Sequence, residues 1–377
     1  ILQILPSLVT GGVERGAVEV ARAITDAGWQ AIVVSSGGQM VSDLHRAGGL
    51  HIEFPADTKN PIQMRRNVGR LAALIREHEV DIVHARSRAP AWSALSAARR
   101  TGAAFMTTFH GNYGAANPLK RLYNSVMTRG DRVIAISQFI GDQVCERYAA
   151  DPSKVRIIPR GVDIDNFNPA AVSAERVIQL AEKWRVPDDA RVIMLPGRLT
   201  RWKGQSVLIE ALARLPDRTG LRCIMVGGDQ GRTGYREELE REVVRCGLEE
   251  TVQFAGDCRD MPAAFMLADV VVSASTDAEA FGRVIIEAQA MGRPVIATDH
   301  GAARETVIEG ETGWLVPPGD ASALVAALSE ALAIAPEARE AMAARTIAQV
   351  RQDYTRDLMC DRTLSVYEEL LVERAGR

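Results

Sequence analysis

The stretch Ser275-Thr-Asp-Ala-Glu-Ala-Phe-Gly-Arg-Val-Ile-Ile-Glu287 follows the apolar run Val270-Val-Val-Ser273, and its reading decides the fold. A short, unbroken β-branched run is a strand buried on both faces, as in parallel sheets covered by helices. A polar loop carrying Glu279 comes next, then a Phe281-Gly282 turn. Val284, Ile285, Ala288 and Met291 then recur at helical spacing. The helix start leaves backbone N–H groups near Gly282 open to an anion. Glu287, about two turns in, flanks the apolar stripe, where its carboxylate can accept hydrogen bonds from two neighbouring hydroxyls. Either glutamate alone would also fit a surface position.

About eighty residues upstream stands Gly197-Arg-Leu-Thr-Arg-Trp-Lys-Gly204, again between a strand and a helix. Arg198 offers a planar fork and Lys203 a compact charge, and both suit phosphate oxygens. Trp202 reads as packing. Together the two stretches supply two cations for a diphosphate and two carboxylates for hydroxyls.

The same strand–helix alternation runs the length of the chain. Strands are expected at 1–5, 31–35, 51–54, 81–85, 104–109, 132–136 and 155–158, and again at 191–195, 222–226, 252–254, 270–273, 294–297 and 314–316. Helical patterns fall at 14–27, 63–77, 91–100, 205–214, 235–246, 283–291 and 321–334. This predicts an α/β protein with parallel sheets. The chain's 377 residues exceed what one core usually holds, about 250–300, so two domains are expected. The Gly-, Asp-, Asn- and Pro-bearing segment 161–169 reads as their junction. Segment 354–373 reads as a closing helix with Leu358, Leu364, Tyr367, Leu370 and Leu371 near one side.

Composition is that of a globular protein, 47% apolar and 25% charged, with no apolar run long enough to span a bilayer. No basic leader precedes the first strand, and five dispersed cysteines without CxxC spacing fit reduced thiols; a cytoplasmic setting is expected. Residues 1–168 carry 20 Lys+Arg against 15 Asp+Glu, the remainder 25 against 33. A mildly basic first half hints at an anionic surface, and solvated faces explain it about as well.

In that half, Thr10-Gly-Gly-Val-Glu-Arg-Gly16 follows the first strand, where glycines let a backbone approach a ligand. It is not GxGxxG, and no acidic residue closes the second strand, which argues against a dinucleotide. His110-Gly111 ends the fifth strand, the edge where such sheets take ligands. Segment 117–129 places Leu119, Leu122, Tyr123 and Val126 on one side of a helix with Lys120, Arg121 and Arg129 around it; it fits an ordinary domain helix or one resting on anionic lipid. No HExxH, CxxC pair or DxD stands out, so no protein-held catalytic metal is expected. A helical path from Glu279 to Glu287 would rise about 12 Å, which disfavours a glycosidase pair.

These segments resemble glycosyltransferase family 4, the retaining GT-B transferases. The likeness extends through Ile158-Pro-Arg-Gly-Val-Asp163, Glu287-Ala-Gln-Ala-Met-Gly-Arg-Pro-Val-Ile-Ala-Thr-Asp299 and Gly313-Trp-Leu-Val-Pro-Pro-Gly319, nearly the whole chain. It looks most like bacterial enzymes of lipopolysaccharide, capsule or exopolysaccharide synthesis. The resemblance implies two Rossmann-like domains with parallel sheets facing across a cleft. Residues 1–165, completed by a helix at 354–377, would bind the acceptor, and 166–353 the nucleotide-sugar donor. It implies that Arg198 and Lys203 grip the donor diphosphate with Gly11, Gly12 and Gly197. Glu287 would hold the ribose. Glu279, Ala280, Phe281, Gly282, Arg283 and Val284 would surround the sugar, and Gly227, Gly228 and Cys258 would flank the base. His110, Arg198, Lys203 and Glu279 would act in catalysis. His110, Asn112, Tyr113 and Arg160 would meet the acceptor, a glycan or lipid-linked glycan. The donor would be a UDP- or GDP-sugar, with no further cofactor, no nucleic acid, and a peripheral contact with the inner membrane. Ala280 and Arg160 depart from the family pattern, which has Gly and Asn there. A nucleotide-sugar 2-epimerase on the same fold and a non-catalytic nucleotide-sugar binding protein are the competing expectations.

Overall fold

The structure, a computed structural model, describes residues 1–9, 11–114 and 117–376; Thr10 of the glycine turn and Arg377 of the closing segment lie outside the described residues. In chain order the elements are β1 (Leu2–Ile4), α1 (Gly12–Asp26), β2 (Ile32–Ser35), α2 (Val41–Arg46), β3 (Leu50–Glu53), α3 (Pro61–Glu77), β4 (Ile82–Ala85), α4 (Arg88–Thr101), β5 (Ala104–Phe109), α5 (Pro118–Asn124), β6 (Arg132–Ala135), α6 (Gln138–Tyr148) and β7 (Val155–Ile157). They continue with α7 (Ala174–Trp184), β8 (Arg191–Pro196), α8 (Gln205–Arg214), β9 (Leu221–Val226), α9 (Thr233–Arg245), β10 (Val252–Gly256), α10 (Met261–Leu267), β11 (Val270–Ser273), α11 (Arg283–Ala290), β12 (Val295–Thr298), α12 (Ala303–Thr306), β13 (Gly313–Val316), α13 (Ala321–Ala333), α14 (Pro336–Asp353) and α15 (Arg356–Ala375). Every run expected to be a strand is one.

The chain divides into two compact units, Ile1–Arg160 with Arg356–Arg377, and Gly161–Thr355. The first holds a seven-stranded sheet, β3-β2-β1-β4-β5-β6-β7, and the second a six-stranded sheet, β10-β9-β8-β11-β12-β13. All pairings are parallel. Strand order reverses beside β1 and β4 in one sheet and beside β8 and β11 in the other. Within each unit, loops leave the carboxyl ends of those strands where doubly wound sheets take ligands.

In the first unit, Leu5, Val20, Ile24, Val33 and Ile134 form one core with Met359, Val366, Tyr367 and Leu370 of α15. Burying each such side chain contributes about 1.5–3 kcal/mol. The closing helix therefore exists, but its buried stripe is rotated from the expected one: Met359, Cys360, Thr363 and Val366 are buried, whereas Leu358, Leu364 and Leu371 are only partly so. Glu369 of α15 also accepts from Arg132 Nε at 3.0 Å and Arg156 Nη2 at 2.8 Å, which holds its carboxyl below the usual range.

Segment 117–129 is not one helix. α5 stops at Asn124, a 3-10 turn covers Ser125–Thr128, and Val126 is core, because the chain must turn inward to reach β6. Only Leu119 and Leu122 of the expected apolar side are exposed. Among the described residues no single helix is long and apolar enough to cross a membrane. The pair α13 and α14 passes by length and composition, but it bends by 107° and buries Leu324 and Leu328 in the second core.

Candidate functional site

In the second unit the loops after β8 and β11 meet at the reversal point of the sheet. Lys203 closes a 3-10 turn, Arg201–Lys203, and its ammonium donates to Glu279 Oε1 at 2.6 Å. The two side chains are only 14% and 15% exposed. The Ser275 hydroxyl donates to the same carboxylate oxygen, and the Trp202 ring lies 4.5 Å from the Lys203 ammonium. Gly204 makes this approach possible: φ is +73°, and a Cβ there would sit 1.9 Å from the Ala274 carbonyl oxygen.

Arg198 is exposed; its guanidinium reaches Gln230 Oε1 at 3.4 Å, and its carbonyl accepts from the buried Gln205 amide at 2.9 Å. Its neighbouring loops are stitched by backbone bonds: Gly197 N–H to Val226 O at 2.7 Å, Gly227 N–H to Gly256 O at 2.8 Å, and Leu199 N–H to Gly228 O at 3.1 Å. Gly228 N–H donates to Asp257 Oδ1 at 2.8 Å, which pins the loop beside Cys258. Cys258 is partly buried, and burial raises its thiol pKa.

Ala280 and Phe281 lead into Gly282, which precedes α11. Phe281 is buried with its ring 5.9 Å from that of Tyr354. At the first turn of α11, Arg283 Nη2 lies 3.4 Å from Glu287 Oε1, with Val284 partly buried between them in sequence. The expected helical path from Glu279 to Glu287 is corrected here: α11 starts at Arg283, so Glu279 lies in the loop and the rise estimate does not apply. Each carboxylate instead has its own cation, Lys203 or Arg283.

The remaining candidates belong to the first unit. Gly11 precedes α1 and Gly12 begins it. His110 follows β5, and its Nδ1 lies 2.6 Å from Arg160 Nη2. Burial, then Arg160, Arg86 and His84, lower its pKa well below 6.5. Asn112 is exposed and accepts from Arg147 Nη1 at 2.9 Å. Tyr113 is stacked, its ring centroid 4.6 Å from that of Phe109 and the Arg88 guanidinium 4.0 Å over its face. Burial raises its pKa, while its hydroxyl bonds the His110 backbone.

The model for "Glycosyltransferase Family 4" matches residues 10–166, and that for "Glycosyl transferases group 1" matches 178–349. A D-inositol 3-phosphate glycosyltransferase of Jonesia denitrificans is 31% identical over 317 residues, 78% of this chain and 72% of the relative. The chain belongs to glycosyltransferase family 4. Several other curated relatives of the same description are matched over only 54–60% of their own length. A solved glycosyltransferase of Rickettsia africae superposes on this chain with a TM-score of 0.91 and 38% identity over 98% of each chain. Anabaena HepE in complex with UDP-glucose gives 0.85 and 25% identity, covering 98% of this chain and 99% of its own. The two parallel-sheet units are thus a GT-B fold.

Sequence reasoning missed several members of this site. Ser275 and Trp202 act through space on a pair 76 residues apart, although Ser275 lies four residues before Glu279. His300 follows β12; among the described residues neither of its buried ring nitrogens has a partner. Ala302 N–H donates to the Glu279 carbonyl at 3.1 Å, so that loop braces the glutamate. Among the candidates of the first unit, Arg86, buried beside Gln3, carried no local signal at all.

Proposed function

We propose that this glycosyltransferase moves a hexose-type sugar, with retention, from a UDP- or GDP-sugar to a glycan or lipid-linked glycan in cell-surface polysaccharide synthesis. The Lys203–Glu279 contact carries the reading. It joins a cation suited to a diphosphate with a carboxylate suited to sugar hydroxyls, at the point where the sheet opens. HepE, solved with UDP-glucose, supports a donor of this class.

Arg198 and Lys203 neutralise the charge that develops on the departing diphosphate, so no metal is needed for that task. Gly11 and Gly12 assist at the α1 start. Glu287 takes the ribose hydroxyls, and Gly227, Gly228 and Cys258 border the base. Glu279 orients the sugar within the wall formed by Ala280, Phe281, Gly282, Arg283 and Val284. The acceptor oxygen attacks the anomeric carbon from the face the leaving group departs. The C–O bond to phosphate breaks, and the phosphate oxygen takes the acceptor's proton. His110 donates to the reacting sugar, and Asn112, Tyr113 and Arg160 lie on the acceptor side.

The test is turnover of Lys203→Ala and Glu279→Ala with a panel of UDP- and GDP-sugars. Losses of about 10²–10³ are expected, as for removal of a single transition-state donor. Normal turnover in both overturns the assignment. Product analysis with donor alone separates transfer from 2-epimerisation, and binding without turnover marks a sensor.

A peripheral setting on the inner membrane face fits the first unit. Ile62, Leu119 and Leu122 are 68%, 79% and 55% exposed, with exposed Arg65, Arg66, Lys120 and Arg121 beside them in sequence. Their elements, α3 and α5, are both bonded to α4: the Ser93 hydroxyl donates to Met64 O at 2.9 Å, and Trp92 Nε1 to Tyr123 O at 3.1 Å. Apolar side chains ringed by cations suit an anionic leaflet.

A further inference from the structure

Strand order places three loops side by side in the first unit, those after β4, β5 and β7, with β6 between the last two. Arg86 and His110 directly follow β4 and β5, and Arg160 is the third residue after β7. Arg160 is 7% exposed, and its Nη2 lies 2.6 Å from His110 Nδ1.

A guanidinium nitrogen can only donate, and it stays protonated throughout the working pH range. His110 Nδ1 must therefore be the acceptor. The single proton of the neutral ring then sits on Nε2. Protonating Nδ1 would oppose two N–H groups across the same short contact and add a positive charge beside two guanidiniums. His110 Nε2 is buried and has no partner among the described residues, so its N–H is the donor the ring has left to give.

We infer that Arg160 is a positioning residue for transfer: it fixes His110 as a neutral imidazole whose Nε2–H is a hydrogen-bond donor and whose Nδ1 is closed to protons. This deepens the reading above and rests on it for the catalytic consequence. His110 then cannot serve as the base. The acceptor's proton leaves with the phosphate oxygen, while His110 supplies a hydrogen bond to sugar or phosphate oxygen and keeps its own proton throughout.

The neighbours of the ring agree. Facing His110 are Arg160 after β7, Arg86 after β4 and His84 on β4; Tyr113 bonds its backbone, and Tyr367 of α15 holds His84 from the far side. Burial, with Arg160, Arg86 and His84, lowers its pKa well below 6.5. The first helix makes room for this set. A Cβ on Gly16 of α1 would fall 2.5 Å from Arg160 Nη1 and 3.1 Å from Arg86 Nη2. Both guanidiniums thus pack under a position with no side chain. The Arg160 side chain meets the tip of a methyl there, so Gly16→Ala displaces it without a backbone clash.

The experiment is ¹⁵N NMR of the full chain with labelled histidine, the His110 signals assigned by their loss in His110→Gln, over pH 8 to 5 and without substrate. The expected wild-type result is an Nε2–H tautomer that does not titrate near 6.5. Arg160→Met is expected to mix the tautomers and move the titration toward 6.5. Its kcat/KM should lose ground to wild type as pH falls from 8 to 6, a pH-dependent gap that a purely structural role would not produce. If Arg160→Met does not fold, Gly16→Ala reads the same contact and is expected to shift His110 in the same direction. An Nδ1–H tautomer in wild type, or an unchanged tautomer and titration in the variant that folds, overturns the inference. If the NMR signature stands but neither Lys203→Ala nor Glu279→Ala loses turnover, the contact is right and the transferase reading is wrong.

Discussion

Lys203 and Glu279 lie 76 residues apart in the chain yet share a 2.6 Å hydrogen bond inside the second unit. A ligand that uses both must come between them or share them. Each has been desolvated for the other, so removing one leaves a largely buried charge behind. Nucleoside diphosphate binding and transfer should therefore separate. By calorimetry, Lys203→Ala weakens UDP or GDP binding about tenfold or more, since a charge-assisted bond contributes about 1.5–3 kcal/mol. Glu279→Gln binds the diphosphate at least as well as wild type, because it releases Lys203, and loses about 10²–10³ in turnover with the nucleotide sugar. Equal losses of nucleotide affinity in both variants would contradict this division of labour.

The turn that delivers Lys203 depends on Gly204. Its φ of +73° and the 1.9 Å gap to the Ala274 carbonyl leave no room for a side chain. Gly204→Ala is expected to cost at least about 1–3 kcal/mol from backbone strain. For a unit of this size each kcal/mol lowers Tm by about 2–4 °C. Calorimetric melting checks it; an unchanged Tm would show that the turn is not strained in the way described.

Stability should fall in mild acid. His84 is fully buried between the Tyr367 hydroxyl at its Nδ1 and the Thr108 hydroxyl at its Nε2, each at 2.7 Å. Burial, then Arg86 and Arg160, lower its pKa well below 6.5. Between the unfolded value and the lower folded one, the unfolded chain holds a proton that the native chain does not. The contribution is therefore fully present above about pH 6.5 and is lost as pH falls toward the folded pKa, at up to about 1.4 kcal/mol per pH unit for each such histidine. Urea unfolding at pH 8, 7, 6 and 5 reads this directly. A profile flat below 6.5 would contradict it.

The apolar tips of α5 should govern lipid contact. Sedimentation with vesicles of phosphatidylglycerol and phosphatidylcholine is expected to retain wild type at low salt. Leu119→Asp with Leu122→Asp should cut binding at least tenfold, and added salt should weaken what remains. Equal binding to neutral vesicles would argue against an electrostatic contact.

What the sequence showed, it showed through periodicity. Runs such as Val270-Val-Val-Ser273 announce buried parallel strands, so both sheets were legible. Six helices escaped, and each has a physical reason. α2 and α12 span only six and four residues, too short to show a period. α10 carries Pro262 in its first turn, which reads as a breaker although proline is tolerated there. α14 buries only Met342, Thr346 and Val350 over eighteen residues, too sparse a stripe to stand out among alanines and arginines. α7 buries only Leu180 and Trp184, and α6 only Ile140, Gly141 and Val144. In the site, Arg198, Lys203, Glu279 and Glu287 announce themselves by residue type beside glycine turns. Their partners do not. The Lys203–Glu279 and Arg160–His110 contacts are consequences of which strand ends lie side by side, and no local pattern encodes that.

The central claim is that the turn bearing Arg198 and Lys203 holds a nucleotide diphosphate while Glu279 and Glu287 take its sugar and ribose. A crystal structure with bound UDP-sugar or GDP-sugar tests it most directly. The account predicts diphosphate oxygens within hydrogen-bond reach of Arg198 and Lys203, the ribose against Glu287, and sugar hydroxyls on Glu279. A nucleotide seated away from the β8 and β11 loops would contradict it.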